Sequence, residues 1–201
     1  MNWQFRPCVA EDAEAAVPLI YSSGPAAFDY GFAHGGLTAE EFLTRTFRDG
    51  RGLFGYRNHC AVVQDGRLVA VGAFYSGAEA GAMSRAVAFQ ILRHYPPRLV
   101  PRVLSHALRL DRLLPPPSRR THYAAHLGVA PESRGQGIGE ALLTYQRELA
   151  VEQGRRIYAL DVAVTNPRAQ RLYERFGFRV VAERGFNGPV PDARRMEMPL
   201  S

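Results

Sequence analysis

The chain has 201 residues, of which 46% are hydrophobic and 22% charged. That suffices for one large domain with a real core and excludes a disordered or low-complexity chain. Net charge is +6, but all 25 basic residues are arginine and they are scattered, so we expect no nucleic-acid partner.

In chain order, residues 4 to 9 read as a short first strand. The first seventeen residues lack the basic, apolar and small pattern of a secretory leader. Cys8 and Cys60 are too few for a disulfide framework and have no metal-ligand spacing around them, so a reducing compartment is expected and no metal. No apolar run reaches membrane-spanning length. These features place the protein in the cytoplasm, with no membrane partner.

"AEDAEAAVPLIYSSG", residues 10 to 24, reads as a helix with acidic residues in its first turn, and Pro18 makes it kink or start late. Residues 22 to 36 are glycine-rich and aromatic, a loop or broken helix. Thr38 and Glu41 form a capping box that opens a helix through Phe47, stopped near Gly50. Two β-rich runs flank Asp65-Gly66, a two-residue hairpin signal.

Residues 78 to 120 break the rhythm with two helical stretches bordered by Pro96-Pro97 and Pro115 to Pro117. "THYAAHLGV", residues 121 to 129, is the next strand, and a helix follows to Gly154. "RIYALDVAV" is another strand. Asn166-Pro167 then supplies an N-cap and a first-turn proline for a helix that ends on Gly177. "FRVVAER" and "RRMEMPL" are the last strands, joined by the loop from Gly185 to Ala193. The expected fold is α/β on a mixed sheet: one domain over residues 1–201, with a helical insertion at about 78–120 between the third and fourth strands.

The stretch that carries chemistry is "VAPESRGQGIGEALLTYQ". Gly135, Gly137 and Gly139 fall at the start of a helix, next to Arg134. A helix N-terminus offers unpaired N–H groups and the positive end of the macrodipole. Without side chains there, a phosphate oxygen can reach those N–H groups directly, so the stretch reads as a pyrophosphate cradle. The spacing G-x-G-x-G is not the dinucleotide fingerprint, whose third glycine slot holds Glu140, and a chain without lysine has no P-loop.

Arg134-Gly135-Gln136-Gly137-Ile138-Gly139 resembles the signature of the GNAT superfamily of acyl-CoA-dependent N-acetyltransferases. "NPRAQRLYERFGF", with Asn166, Ala169, Tyr173 and Gly177-Phe178, resembles its second signature. The resemblance implies a GNAT fold: a mostly antiparallel sheet, splayed between the fourth and fifth strands, that holds acetyl-CoA in the gap. It implies pantetheine pairing with Leu127, Gly128 and Val129, and pyrophosphate binding by the backbone from Arg134 through Gly139, with Glu140 as an added contact. Asn166 would bond the pantetheine arm. Tyr173 would serve the leaving thiolate, by protonation or by a hydrogen bond, given a phenol pKa near about 10 against about 8.5 for a thiol. The implied reaction moves an acetyl group to a primary amine acceptor by direct attack. A non-catalytic acyl-CoA-binding module and a basic nucleic-acid binder are the rival readings.

A base or water chain must take the amine's proton. Strand parity puts His122 and His126 on one face and Tyr123, Leu127 and Val129 on the other, with Tyr123 where the family places its base, unless a bulge shifts the parity. The base is left unassigned. Phe28, Asp29, Tyr30 and Phe32 sit where the resemblance implies one wall of the acceptor site, with Asp29 able to pair an amine. The loop from Gly185 to Ala193 sits at the opposite wall. In the insertion, Leu99, Val103 and Leu110 oppose Arg98, Arg102, Arg109 and Arg112, a face that can lie on a membrane surface, meet a second copy in a homodimer, or pack on the domain and roof the acceptor site.

Overall fold

The structure is a computed structural model that describes residues 2–200. Seven strands form one sheet: β1 (Gln4–Pro7), β2 (His59–Gln64), β3 (Arg67–Ser76), β4 (Thr121–Val129), β5 (Ile157–Ala163), β6 (Arg179–Arg184) and β7 (Ala193–Pro199). Their order is β1-β2-β3-β4-β5-β7-β6, antiparallel throughout except for the β4–β5 pair. Asp65 and Gly66 both take positive φ, 50° and 76°, which closes the β2–β3 hairpin as expected.

Seven helices cover the sheet. On one face lie α1 (Ala13–Ser22), α2 (Pro25–Phe32), α3 (Ala39–Asp49), α4 (Gly77–His94) and α5 (Val100–Leu113), all contributing to one cluster with Ala61, Val71 and Ala130. On the other lie α6 (Ile138–Glu152) and α7 (Pro167–Phe176), over Leu160, Tyr158 and Val62.

Local chemistry sets several boundaries. The first strand stops at Pro7, two residues short of the expected end. The first helix starts late, at Ala13, because the Asp12 carboxylate is held by Arg6 at 2.7 Å and by the Val9 N–H at 2.8 Å. Pro18 remains inside α1 and gives up one helical donor. The broken helix expected after it resolves into α2, opened by Pro25 in its first turn. Thr38 and Glu41 close their capping box on α3, and Gly50 ends that helix at φ 76°. The first inserted helix begins at Gly77, where Ser76 and Glu79 form a capping box of their own.

The inserted helices are part of the core. Val87, Ile91, Val100 and Val103 are buried with Phe32, Phe42 and Phe54, and each contributes roughly 1.5–3 kcal/mol of burial. The Tyr95 hydroxyl donates to the Phe32 carbonyl and ties the end of α4 to α2. The apolar stripe of α5 is therefore packed on the domain. Among the described residues no helix is long and apolar enough to cross a membrane.

Candidate active site

The parallel pairing of β4 with β5 covers only Thr121–Ala124 against Ile157–Leu160. Beyond it the strands part, so residues 125–129 of β4 have no ladder partner on the β5 side. A cavity of about 1310 Å³ opens along this gap and runs onto the face covered by α1, α2, α4 and α5.

One end of the cavity lies at the start of α6. Gly135 and Gly137 adopt φ of 80° and 85°, conformations that a residue with a Cβ takes only at a cost. A Cβ at Gly135 would meet nothing within 4 Å, and one at Gly137 would meet only Trp3, at 3.9 Å. The two glycines are needed for backbone conformation and leave open space above them. Gly139 is different: its φ is not positive, and a Cβ there would make ordinary contacts with Leu172 and Val129. The N–H groups from Gly135 through Glu140 bond no acceptor among the described residues, and the first helical bond is Ala141 N–H to the Gly137 carbonyl. Six free donors, the helix dipole and open space fit a diphosphate.

Arg134 donates from Nε to the Val129 carbonyl at 3.0 Å, which fixes the turn against the end of β4 and leaves its outer nitrogens in solvent. Arg134, Gly135, Gly137, Ile138, Gly139 and Glu140 all line the cavity, as do Leu127, Gly128 and Val129. Gln136 does not line it; its amide points back toward the Glu132 carbonyl at 3.5 Å. Ile138 contributes backbone, because its side chain is buried under the sheet.

The start of α7 forms the cavity's β5 wall. Asn166 Oδ1 accepts from the Ala169 N–H at 3.1 Å, the expected cap, and this leaves the amide nitrogen free. Tyr173 lies one turn on from Ala169, buried at 8% exposure, and its hydroxyl makes no hydrogen bond among the described residues. Burial pushes its pKa up to about 12, so the group keeps its proton across the ordinary pH range and can donate a hydrogen bond, while as an acid it is weaker than a free phenol. Arg168, Arg171 and Arg175 also line this end. Sequence reading passed over them, although their spacing of three and four residues marks one face of α7.

At the other end, β4 departs from simple alternation. Ala73 pairs with Ala125 but Val71 pairs with Gly128, so β4 carries one extra residue, and His126 takes φ 54°. This bulge overturns the expected parity. His122 faces α6, stacked on Phe74 and near Tyr158, whereas His126 faces the opposite side, against Phe28, Phe54 and His59. Tyr123 shares the His126 face, and Leu127 and Val129 pack on the α6 side instead.

The Tyr123 hydroxyl donates to Asp161 Oδ2, and burial and then the Asp161 charge raise its pKa well above the ordinary phenol value. Arg195 donates from Nε to both Asp161 oxygens, at 3.0 and 3.1 Å, and caps the Pro115 carbonyl. Tyr123, Asp161 and Arg195 thus form a closed, buried network with no free charge. His126 lines the cavity, but burial lowers its pKa to about 3, and His122 falls to about 4 by the same cause.

The expected acceptor walls are assembled in part. Phe28, Phe32, Val190, Pro191 and Ala193 line the cavity. Asp29 does not: it accepts from the Tyr21 hydroxyl at 2.9 Å on the exposed side of α2. Tyr30 stacks on His106 at 4.2 Å and lies outside the lining. No group of three or more metal-ligating side chains occurs among the described residues.

Comparison with known proteins bears on this geometry. The profile of the acetyltransferase (GNAT) family matches residues 32–178. A mycothiol acetyltransferase of Propionibacterium freudenreichii subsp. shermanii is 39% identical over 77 residues, 35% of this chain and 23% of that protein. The chain spans between 22% and 36% of the length of the first curated relatives it matches. An N-acetyltransferase from Staphylococcus aureus Mu50 superposes with a TM-score of 0.70 at 15% identity, covering 97% of this chain and all of that one. The ribosomal-protein-S18-alanine N-acetyltransferase from Escherichia coli gives 0.55 at 17% identity, covering all of this chain and 95% of the other. At those identities the structural likenesses speak to the fold.

Proposed function

The chain belongs to the acetyltransferase (GNAT) family of acyltransferases, and from that premise we propose that it moves an acetyl group from acetyl-CoA to a primary amine by direct attack. The observation that carries this reading is one continuous cavity joining three features: the free N–H groups at the start of α6, the unpaired edge of β4, and the unbonded hydroxyl of Tyr173. A diphosphate fits the first and an extended pantetheine arm the second. The third is placed to give a proton or a hydrogen bond to a departing thiolate.

In this reading Gly135 through Glu140 hold the diphosphate by backbone N–H groups, with Arg134, Arg168, Arg171 and Arg175 adding charge around it. Leu127, Gly128 and Val129 pair the pantetheine arm, and Asn166 bonds it through the amide left free by its capping role. Backbone N–H at the β4 bulge polarises the thioester carbonyl as the amine attacks, and the tetrahedral intermediate collapses with Tyr173 supplying a proton or hydrogen bond to sulfur. Burial makes His126 and His122 poor bases, so the amine loses its proton to water in the open cavity.

We read residues 1–201 as one acetyltransferase domain in which α4 and α5 complete the acceptor side. The buried free thiols Cys8 and Cys60 support a reducing, cytoplasmic setting. The reading is tested by supplying acetyl-CoA with a panel of primary amines and following thiol release. Thiol release that depends on the amine, with the N-acetyl product seen by mass spectrometry, is the expected result. Bound acetyl-CoA left intact with every amine would refute it.

A further inference from the structure

The walls that α4 and α5 contribute to the cavity are apolar apart from Ser84 and one charged residue. From α4 the lining consists of Ser84, Val87, Ala88 and Ile91. From α5 it includes Leu104, Ala107 and Leu108, with Leu114 just past the helix end; counting Asp111, these recur at three- and four-residue steps along one helical face. Asp111 falls on that same face and is its one charged residue.

The Asp111 carboxylate forms no hydrogen bond and no ion pair among the described residues. It is solvent-accessible at the open side of the cavity, and the protein around it raises its pKa by desolvation. Its charge also acts on Tyr75, whose phenol lines the same cavity beside Tyr123. The other carboxylate at this end, Asp161, is already neutralised by Arg195 and Tyr123. Glu140 lies at the α6 end. One negative charge is therefore left without a partner on an apolar wall. An unpaired charge in such a place costs stability, and a cationic ligand removes that cost.

We propose that Asp111 is the acceptor-recognition residue: it holds the ammonium of a primary amine whose body is aromatic or aliphatic, and it rejects acceptors with a carboxylate beside the amine. The body rests on Phe28, Ile91, Leu114 and Val190, and Tyr75 supplies a hydroxyl next to the charge. This deepens the acetyl-transfer reading and rests on it for the identity of the second substrate.

Phenethylamine and phenylalanine share an amine and an apolar body and differ by one carboxylate, which makes them the probes. Their binding to the CoA-saturated protein is measured by calorimetry, and thioester consumption is followed separately. The parent should bind phenethylammonium at least about tenfold more tightly than phenylalanine, and Asp111→Asn should lose about ten- to hundredfold for phenethylammonium and level the two. Asp111→Glu should keep the preference, and CoA affinity should be the same in all three proteins. A folded Asn variant that binds CoA like the parent and keeps the preference overturns the proposal. So does a parent that binds the two probes equally or binds neither. A parent that binds phenethylammonium through Asp111 but leaves acetyl-CoA intact supports the subsite and overturns the acetyl-transfer reading instead.

Discussion

The two ends of the cavity are built on different plans. At the α6 and α7 end the polar groups are backbone donors, arginines, Asn166 and Glu140, and they come from two short segments, residues 129–140 and 166–177. At the acceptor end the lining comes from α2, β3, α4, α5, β4, β5 and the approach to β7, and its ionisable groups are carboxylates, phenols and the buried imidazole of His126. The first end can hold an anion with parts that are nearly all local in sequence. The second exists only after residues as far apart as Phe28, Asp111 and Val190 have been brought together. A chemically constant ligand suits the local construction, and a variable one suits the dispersed construction, where one wall changes without disturbing the other.

If that division is real, substitutions at one end should leave the other substrate alone. The largest effect expected is that of Tyr173→Phe, which keeps the buried ring and removes the hydroxyl. It should lower kcat by roughly 10²–10⁴-fold with CoA affinity near the parent value. Unchanged kcat, with the chemical step shown to be rate-limiting, would remove Tyr173 from the reaction. Gly137→Glu comes next. The position needs φ 85° and faces the open space above the turn, so a carboxylate there is strained and repels the diphosphate. CoA affinity by calorimetry should fall by about 100-fold or more, with amine binding preserved.

A smaller effect is expected of Arg171→Ala. This exposed arginine acts as a point charge in water, so CoA affinity should weaken by only a few-fold, and the difference should shrink as salt is raised. A loss as large as that of Gly137→Glu would shift the weight of anion binding from the α6 backbone to α7.

The smallest effect concerns stability. Because desolvation raises the pKa of Asp111 in the folded state, its ionised form is disfavoured there. That cost is absent below the unfolded carboxylate pKa and present above the folded one. At neutral pH, Asp111→Asn should therefore melt at the parent temperature or slightly above it. A clear drop in Tm would mean that the carboxylate supports the fold rather than a ligand.

The same contrast explains what the sequence made legible. The cradle and the α7 cap are visible in it because each depends on neighbours within a few residues: glycines at positive φ, Asn166 before Pro167, Tyr173 one turn after Ala169. The hairpin at Asp65-Gly66 and the Thr38 capping box are legible for the same reason. The bulge at His126 is not, because nothing local favours a left-handed histidine inside a strand, and its position depends on register against β3. Simple alternation groups His126 with His122 and Tyr123 with Leu127 and Val129, whereas the bulge puts His126 with Tyr123 and Leu127 and Val129 with His122. Asp29 was a reasonable amine partner by sequence position, but the turn of α2 sends it to Tyr21 and solvent. Two misses were avoidable, the arginine spacing on α7 and the Ser76–Glu79 capping box. Asp111 was not, since its meaning depends on the apolar face around it and on the neutralisation of Asp161 by Arg195.

The central claim is that the α6 end of this cavity holds the diphosphate of acetyl-CoA and so aims the thioester at Tyr173. A crystal structure of the protein with CoA tests it most directly. The account predicts diphosphate oxygens within about 3 Å of backbone nitrogens between Gly135 and Glu140, the pantetheine arm along Leu127 to Val129, and the sulfur beside the Tyr173 hydroxyl. A diphosphate bound away from that turn, or an arm that leaves the β4–β5 gap empty, would contradict it.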